Sequence, residues 1–316
     1  MIITDIALFI LGAVLVILGA DWLVEGASAI ARRFGLSEYV IGATIVGIGT
    51  SMPELVVSGI AAFEGNADIA IGNVAGSNLF NTLLILGLTA LILPLSYTRS
   101  NVRTDIPMCI GVSLLFLLFA LGGTIARWKA AVLFIGFVAY LIYCFKQGKE
   151  EEPEAENSQK EVPLWKTIAL ILAGFTALIL GGNLFVDHAV NIAKYLRVSD
   201  AVIAATIMAG GTSMPELAVC VAAAIKGREQ MAIGNIIGSN ISNILLIIGF
   251  AGIITPLGVT HVNMVGIVAA AASAVILLLS ALPLRTMKLG RLKGAAFILL
   301  YVFYILTVLR TGTVAL

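Results

Sequence analysis

The chain has 316 residues, 60% of them hydrophobic and only 12% charged, with a mean hydropathy of +1.06 and a formal net charge of +1. A soluble domain of this length could not hide so much apolar surface behind a polar exterior, so hydrocarbon is the expected solvent for most of it. The near-neutral balance comes without any basic cluster, which excludes a nucleic-acid-binding surface. In chain order, apolar stretches run over about 4–30, 39–63, 70–94, 106–125 and 129–145, then over 164–193, 200–225, 231–256, 262–282 and 294–310. A spanning helix needs about 20 apolar residues. The expected fold is therefore an all-α membrane protein with ten transmembrane helices. The stretches are too long, and too weakly alternating, for a transmembrane barrel.

The first stretch carries Asp5 instead of a basic start and has an internal counterpart, so it is not expected to be a removable signal. Segment 147–163 is polar and rich in Glu and Lys; it is expected to be a cytoplasmic tether between a first unit, 1–146, and a second, 164–316. Of the 19 basic residues, 14 fall in the odd-numbered loops between stretches. Those loops are predicted cytoplasmic, with both termini outside, in a multi-pass protein of the plasma membrane. Cys109, Cys144 and Cys220 lie within or at the ends of apolar stretches and are read as reduced, small hydrophobic residues. Asp21, Glu25 and Asp187 lie toward stretch ends and are read as salt-bridging or capping groups. His188 and His261 are read as isolated boundary residues.

The most informative feature is a repeat. Ile41 to Glu54, ending Gly-Thr-Ser-Met-Pro-Glu, recurs as Ile203 to Glu216, and Ala70 to Asn81, with Gly-Asn and Gly-Ser-Asn, recurs as Ala232 to Asn243, both at an offset of 162. Each half has five stretches, and an odd number reverses the second copy. Two inverted five-helix repeats are a signature of secondary transporters, whose sites lie near the bilayer midplane where interrupted helices meet.

The repeated motif carries its own chemistry. Proline lacks an amide hydrogen and clashes with the carbonyl four residues earlier. Pro53 and Pro215 thus free the carbonyls of Gly49 and Gly211. Bare carbonyls are not tolerated in lipid unless they line a cavity or bind something. Glu54 and Glu216 sit beside these breaks, each costing on the order of 3 kcal/mol at mid-membrane. Facing each other, the two acids would repel unless a cation intervened. Two carboxylates with carbonyl and hydroxyl oxygens make the hard, oxygen-only set that calcium takes, and the motif offers no His or Cys, which disfavours zinc or copper. Asn73, Ser77 and Asn81 are spaced four apart on one helical face, and Asn235, Ser239 and Asn243 repeat that stripe. Such neutral oxygens suit sodium. Gly72, Gly76, Gly234 and Gly238 allow close helix approach.

These motifs resemble the two alpha repeats of the sodium/calcium exchanger branch of the cation/calcium antiporter superfamily, prokaryotic type. The resemblance is most specific across 41–81 and 203–243 and runs over all ten stretches. It implies a compact core of the second, third, seventh and eighth helices, with the first and sixth long, tilted and mobile. It also implies that calcium binds Glu54, Glu216 and the backbone carbonyls of Thr50 and Thr212. One sodium site is implied at Ser77, the Ala209 carbonyl, Thr212 and Ser213 with Glu54, and its mirror at Ser239, the Gly47 carbonyl, Thr50 and Ser51 with Glu216. Asn81 and Asn243 are implied at the centre. Potassium-dependent relatives typically carry Asp at the position of Asn243, so Asn there argues against potassium co-transport. The proton-coupled branch usually has an acid in the motifs that here read Gly-Asn and Gly-Ser-Asn.

The expected function is antiport of sodium against calcium by alternating access, with the ions competing for Glu54 and Glu216. No cofactor is expected beyond the transported Ca2+ and Na+. The partners are the lipid bilayer and these ions, the working unit is one chain, and no enzyme activity is expected. The alternatives are a proton/calcium antiporter, which a pH gradient alone would drive, and a cation channel, which needs a continuous pore. An intramembrane enzyme is disfavoured, because no nucleophile–base pair accompanies the two acids.

Overall fold

The computed structural model of the chain describes residues 2–148, 162–197, 209–282 and 287–311. It is built of helices: α1 (Ile2–Phe34), α2 (Glu38–Thr50), α3 (Met52–Phe63), α4 (Ala67–Ile92), α5 (Asn101–Ala120) and α6 (Arg127–Gln147), then α7 (Leu164–Tyr195), α8 (Met214–Ile225), α9 (Glu229–Ile254), α10 (His261–Ala281) and α11 (Arg291–Thr311). One helical turn, Ala209–Gly211, precedes α8. Among the described residues, eight helices are long and apolar enough to cross a membrane, and a ninth span results if α2 and α3, bent by 46° at their junction, count as one. The protein is an all-helical membrane protein. The predicted stretch 200–225 is described only from residue 209, where α8 forms its apolar end. The predicted tether at 147–163 lies almost wholly outside the described residues, as do Ile203 to Met208 of the second motif.

Two boundaries differ from expectation for local reasons. Helix α5 starts at Asn101, ahead of the apolar run. The Asn101 side chain accepts from the Thr98 amide at 2.8 Å and the Thr98 hydroxyl from the Asn101 amide at 3.2 Å, a reciprocal cap that lets a polar turn begin the helix. The same helix ends at Ala120; Gly123, at φ 72°, turns the chain away, and Thr124–Ile125 become a short strand.

Among the described residues, four two-residue strands tie helix ends together: β1 (Leu95–Ser96), β2 (Thr124–Ile125), β3 (Leu257–Gly258) and β4 (Lys288–Leu289). Strand β1 pairs antiparallel with β4, setting Leu95 opposite Leu289, and β2 pairs with β3, setting Ile125 opposite Leu257. Each pair therefore joins the first half to the second.

Helices α1 and α7 lie side by side because neither carries bulk on the shared face. A Cβ added to Gly12 would meet the Gly181 carbonyl at 2.8 Å, one at Gly19 the Gly174 carbonyl at 2.9 Å, and one at Gly26 the Thr167 carbonyl at 3.2 Å. Numbers rise on one helix as they fall on the other, so the two run antiparallel. Small residues at seven-residue spacing let backbones approach where lipid offers no hydrophobic drive to association. The α2–α9 contact follows the same rule with parallel direction: Gly42 abuts the Met231 carbonyl, and Gly234 and Gly238 abut the backbone of Tyr39 and Ala43. Helix α9 is buried continuously from Met231 to Leu245. Side chains such as Ile17, Leu172, Leu292 and Phe303 stay exposed on the outer helices, as a lipid-facing surface requires.

Candidate functional site

The site begins with two helix breaks. Ser51, at φ −82° and ψ 7°, separates α2 from α3, and Ser213, at φ −91° and ψ 10°, precedes α8. In each case a proline occupies the first turn of the following helix, where its missing amide hydrogen costs nothing, and a glutamate follows. Glu54 and Glu216 are fully buried.

The breaks are joined by crossed hydrogen bonds. The Ser51 hydroxyl donates to Glu216 Oε1 at 2.9 Å, and the Ser213 hydroxyl donates to Glu54 Oε1 at 3.0 Å. Each serine lies three residues before the acid of its own half, so the exchange brings both carboxylates to one place. The Thr50 hydroxyl donates to Asn235 Oδ1 at 3.2 Å, and Thr212 immediately precedes Ser213 at the second break. Helices α4 and α9 close the sides. Asn73 Nδ2 donates to the Glu54 carbonyl and Asn235 Nδ2 to the Glu216 carbonyl, both at 3.3 Å, anchoring each break to the neighbouring helix. The Ser77 hydroxyl donates to Glu54 Oε1 at 3.4 Å, whereas the Ser239 hydroxyl donates to the Gly47 carbonyl at 3.1 Å. The turn at Ala209 packs against α4. Of the residues predicted from sequence, the structure thus gathers Gly47, Thr50, Ser51, Glu54, Ser77, Thr212, Ser213, Glu216 and Ser239 around the two breaks.

Asn81 and Asn243 each lie one turn beyond these serines, at wide helical turns with π-type bonding, Phe80–Ile85 and Asn243–Ile248. Such bulges re-aim side chains and recur at functional sites. Both residues are fully buried. Glu54 Oε2, Glu216 Oε2, Asn81 Oδ1 and Asn243 Oδ1 are buried acceptors without a hydrogen-bond partner. Leaving a buried acceptor unsatisfied is costly, and more so for a charged one. Among the described residues the ion pairs are His188–Asp5, Lys226–Asp21 and Arg228–Glu38, none of which reaches either glutamate. The donor set left open is oxygen only, which is the set a hard cation takes.

Asn78 and Asn240 were not among the predicted site residues. Asn81 Nδ2 donates to Asn240 Oδ1 at 3.2 Å and Asn243 Nδ2 to Asn78 Oδ1 at 2.9 Å. Their place in the repeated Gly-Ser-Asn was the available signal. His188, expected to be isolated, instead holds Asp5 of α1 at 2.8 Å, with Asn191 on the same carboxylate at 3.1 Å. Asp21 is an ion-pairing group as expected, 2.6 Å from Lys226. All three cysteines are free and buried.

The model of the family described as "Sodium/calcium exchanger protein" matches residues 4–146 and 166–310. The chain belongs to the sodium/calcium exchanger family. It is 32% identical over 304 residues to the sodium/calcium exchanger MaX1 of Methanosarcina acetivorans, covering 84% of this chain and 87% of that one. It is also 38% identical over 315 residues to the membrane protein MJ0091 of Methanocaldococcus jannaschii, itself uncharacterized, covering 99% and 100%. A solved structure of the sodium-calcium exchanger NCX_Mj superposes with a TM-score of 0.83 at 34% identity, covering 96% of this chain and 98% of that one. Membership of the exchanger family makes this chain a cation/calcium antiporter in class, and the relatives named here as exchangers are transporters. The ions handled by the family are Ca2+ and Na+, with no cofactor.

Proposed function

We propose that this exchanger-family chain moves sodium against calcium across the plasma membrane by alternating access, with both ions using the pocket between the helix breaks. The observation that carries this reading is that Glu54, Glu216, Asn81 and Asn243 each hold a buried oxygen without a hydrogen-bond partner. In the proposed cycle, calcium binds Glu54 and Glu216 with the carbonyls of Thr50 and Thr212. Sodium ions take Ser77, the Ala209 carbonyl, Thr212 and Ser213 on one flank, and Ser239, the Gly47 carbonyl, Thr50 and Ser51 on the other. Asn81 and Asn243 form the middle. The pair of carboxylates balances one calcium ion, and because both ions need the same acids they cannot be fully bound together. Three sodium ions would leave one positive charge in excess, making the exchange electrogenic.

The antiparallel packing of α1 on α7 and the crossed strand pairs support two inverted five-helix units, 1–146 and 164–316, in a ten-helix chain. All proposed ligands come from one chain, which supports a working monomer. The charge bias of the loops supports termini outside, with segment 147–163 as a cytoplasmic tether.

The test is radioactive calcium flux into vesicles with sodium, potassium and proton gradients imposed one at a time. Saturable uptake driven by outward sodium alone is expected. Uptake driven only by a pH gradient would replace this reading with proton/calcium antiport, and non-saturable conductance with a channel.

A further inference from the structure

The four asparagines between α4 and α9 form a chain of amides whose direction is set at one end. Asn78 Nδ2 donates to the backbone carbonyl of Asn240 at 3.0 Å. A backbone carbonyl only accepts, so this bond dictates which way the Asn78 amide faces. Its oxygen is then presented to Asn243, which must answer with Nδ2, and does so at 2.9 Å. The nitrogen of Asn243 is thereby committed, and its oxygen is the atom left over. The second arm has a weaker anchor, because a hydroxyl can donate or accept and so does not fix the direction of the amide it meets. Asn240 Nδ2 donates to the Thr82 hydroxyl at 2.8 Å, and Asn240 Oδ1 receives Asn81 Nδ2 at 3.2 Å, leaving the Asn81 oxygen over.

Reversing the Asn243 amide would set its oxygen against the Asn78 oxygen with no proton between them. It would also turn an NH2 group, whose hydrogens carry partial positive charge, toward the place of the leftover oxygen. Relative exposure is 3% for Asn78, 2% for Asn240 and 0% for Asn81 and Asn243, so bulk water cannot repair such a mismatch.

We propose that Asn78 is a positioning residue that locks the amide of Asn243 with oxygen, not nitrogen, facing the ion path. The proposal rests on the exchange site argued above and goes beyond it. It assigns a task to a residue that does not itself touch an ion, and it explains how a neutral asparagine serves as a cation ligand without being free to flip. The Asn240 arm ends on the Thr82 hydroxyl, and only the Asn78 arm is anchored by a backbone carbonyl.

A rescue experiment separates orientation from mere packing. An aspartate offers oxygen whichever way it is turned, so Asn243→Asp no longer needs Asn78 to orient it. The full chain is reconstituted in vesicles, and half-saturating calcium and sodium concentrations are measured alongside maximal rate. Asn78→Ala is expected to raise the half-saturating concentrations about tenfold with a smaller effect on maximal rate. In the Asn243→Asp background the same substitution is expected to change them less than about twofold. An equal penalty in both backgrounds, or no penalty in the wild-type background, overturns the proposal. If Asn78→Ala does not fold, Asn78→Ser takes its place in the same cycle. Failure of both variants to fold, without recovery in the Asn243→Asp background, assigns the network to structure alone and also overturns it. Glu54→Gln, run in parallel, tells the two readings apart. Loss of exchange in that variant with an indifferent Asn78→Ala removes only the positioning role, whereas intact exchange in Glu54→Gln removes the site itself.

Discussion

Ser77 in the first half and Ser239 in the second stand at the same place in the repeat, 162 residues apart, yet they hold different partners. Ser77 reaches the Glu54 carboxylate at 3.4 Å, and Ser239 reaches the Gly47 carbonyl at 3.1 Å. Around them the two halves agree closely. The serine–glutamate bonds cross at 2.9 and 3.0 Å, and the asparagine–carbonyl anchors match at 3.3 Å each. The outer ends differ by composition: Lys226 and Arg228 pair with Asp21 and Glu38, while the equivalent first-half positions hold Glu64 and Asn66. The lesson is that the pseudo-symmetry is kept where the acids meet and relaxed at the flanks. In the proposed exchange that is where it should relax, since the flanks must alternate and the centre must serve both states.

The largest expected effect tests the shared centre. Glu54→Gln and Glu216→Gln each remove one of two charges from the calcium set and should lower sodium-driven calcium uptake by about a hundredfold or more. Tolerance of one substitution and not the other would show that the halves do not contribute alike. Next comes the packing that brings α9 against α2. A methyl added at Gly238 runs into the Ala43 carbonyl, so Gly238→Ala should destabilise the protein by about 1–3 kcal/mol, visible as a lower melting temperature in detergent. A smaller shift is expected at the flanks. Ser77→Ala and Ser239→Ala each lose one hydroxyl, worth about 1 kcal/mol, and should raise half-saturating sodium about fivefold with less change for calcium. Equal changes for the two ions would remove the division of labour between carboxylates and hydroxyls.

Much of this was legible before any coordinates. Apolar runs of spanning length can only be helices in lipid, so the stretches 70–94 and 231–256 became α4 and α9 within a few residues. Proline beside a buried acid betrayed the breaks, because proline's chemistry is local. Less legible was anything set by the other half of the molecule. The four-residue spacing of Asn73, Ser77 and Asn81 marks one face of α4, but Asn78 lies on the adjoining face, whose meaning appears only once α9 is placed against it. His188 likewise acquires a role only because α1 runs antiparallel to α7 and brings Asp5 beside it. Backbone bonding wider than α at Asn81 and Asn243 left no mark in the residue pattern.

The smallest expected effect concerns the flank where the halves differ in charge. Lys226 Nζ lies 2.6 Å from Asp21 Oδ1 and also donates to the Asp21 carbonyl at 3.1 Å, joining the end of α8 to α1. The two side chains are 31% and 48% exposed, so solvent screens the pair, and its worth is at most about 1 kcal/mol. Lys226→Ala should therefore leave the melting temperature nearly unchanged. Its consequence should be kinetic, because the sliding of α1 that the family resemblance implies would carry Asp21 away from Lys226. Releasing it should change the exchange rate by about twofold at low salt and not at high salt, where screening has already removed the attraction. A rate change that persists at high salt would trace the effect to lost packing of the lysine stem, and the charge difference between the flanks would then carry no functional weight.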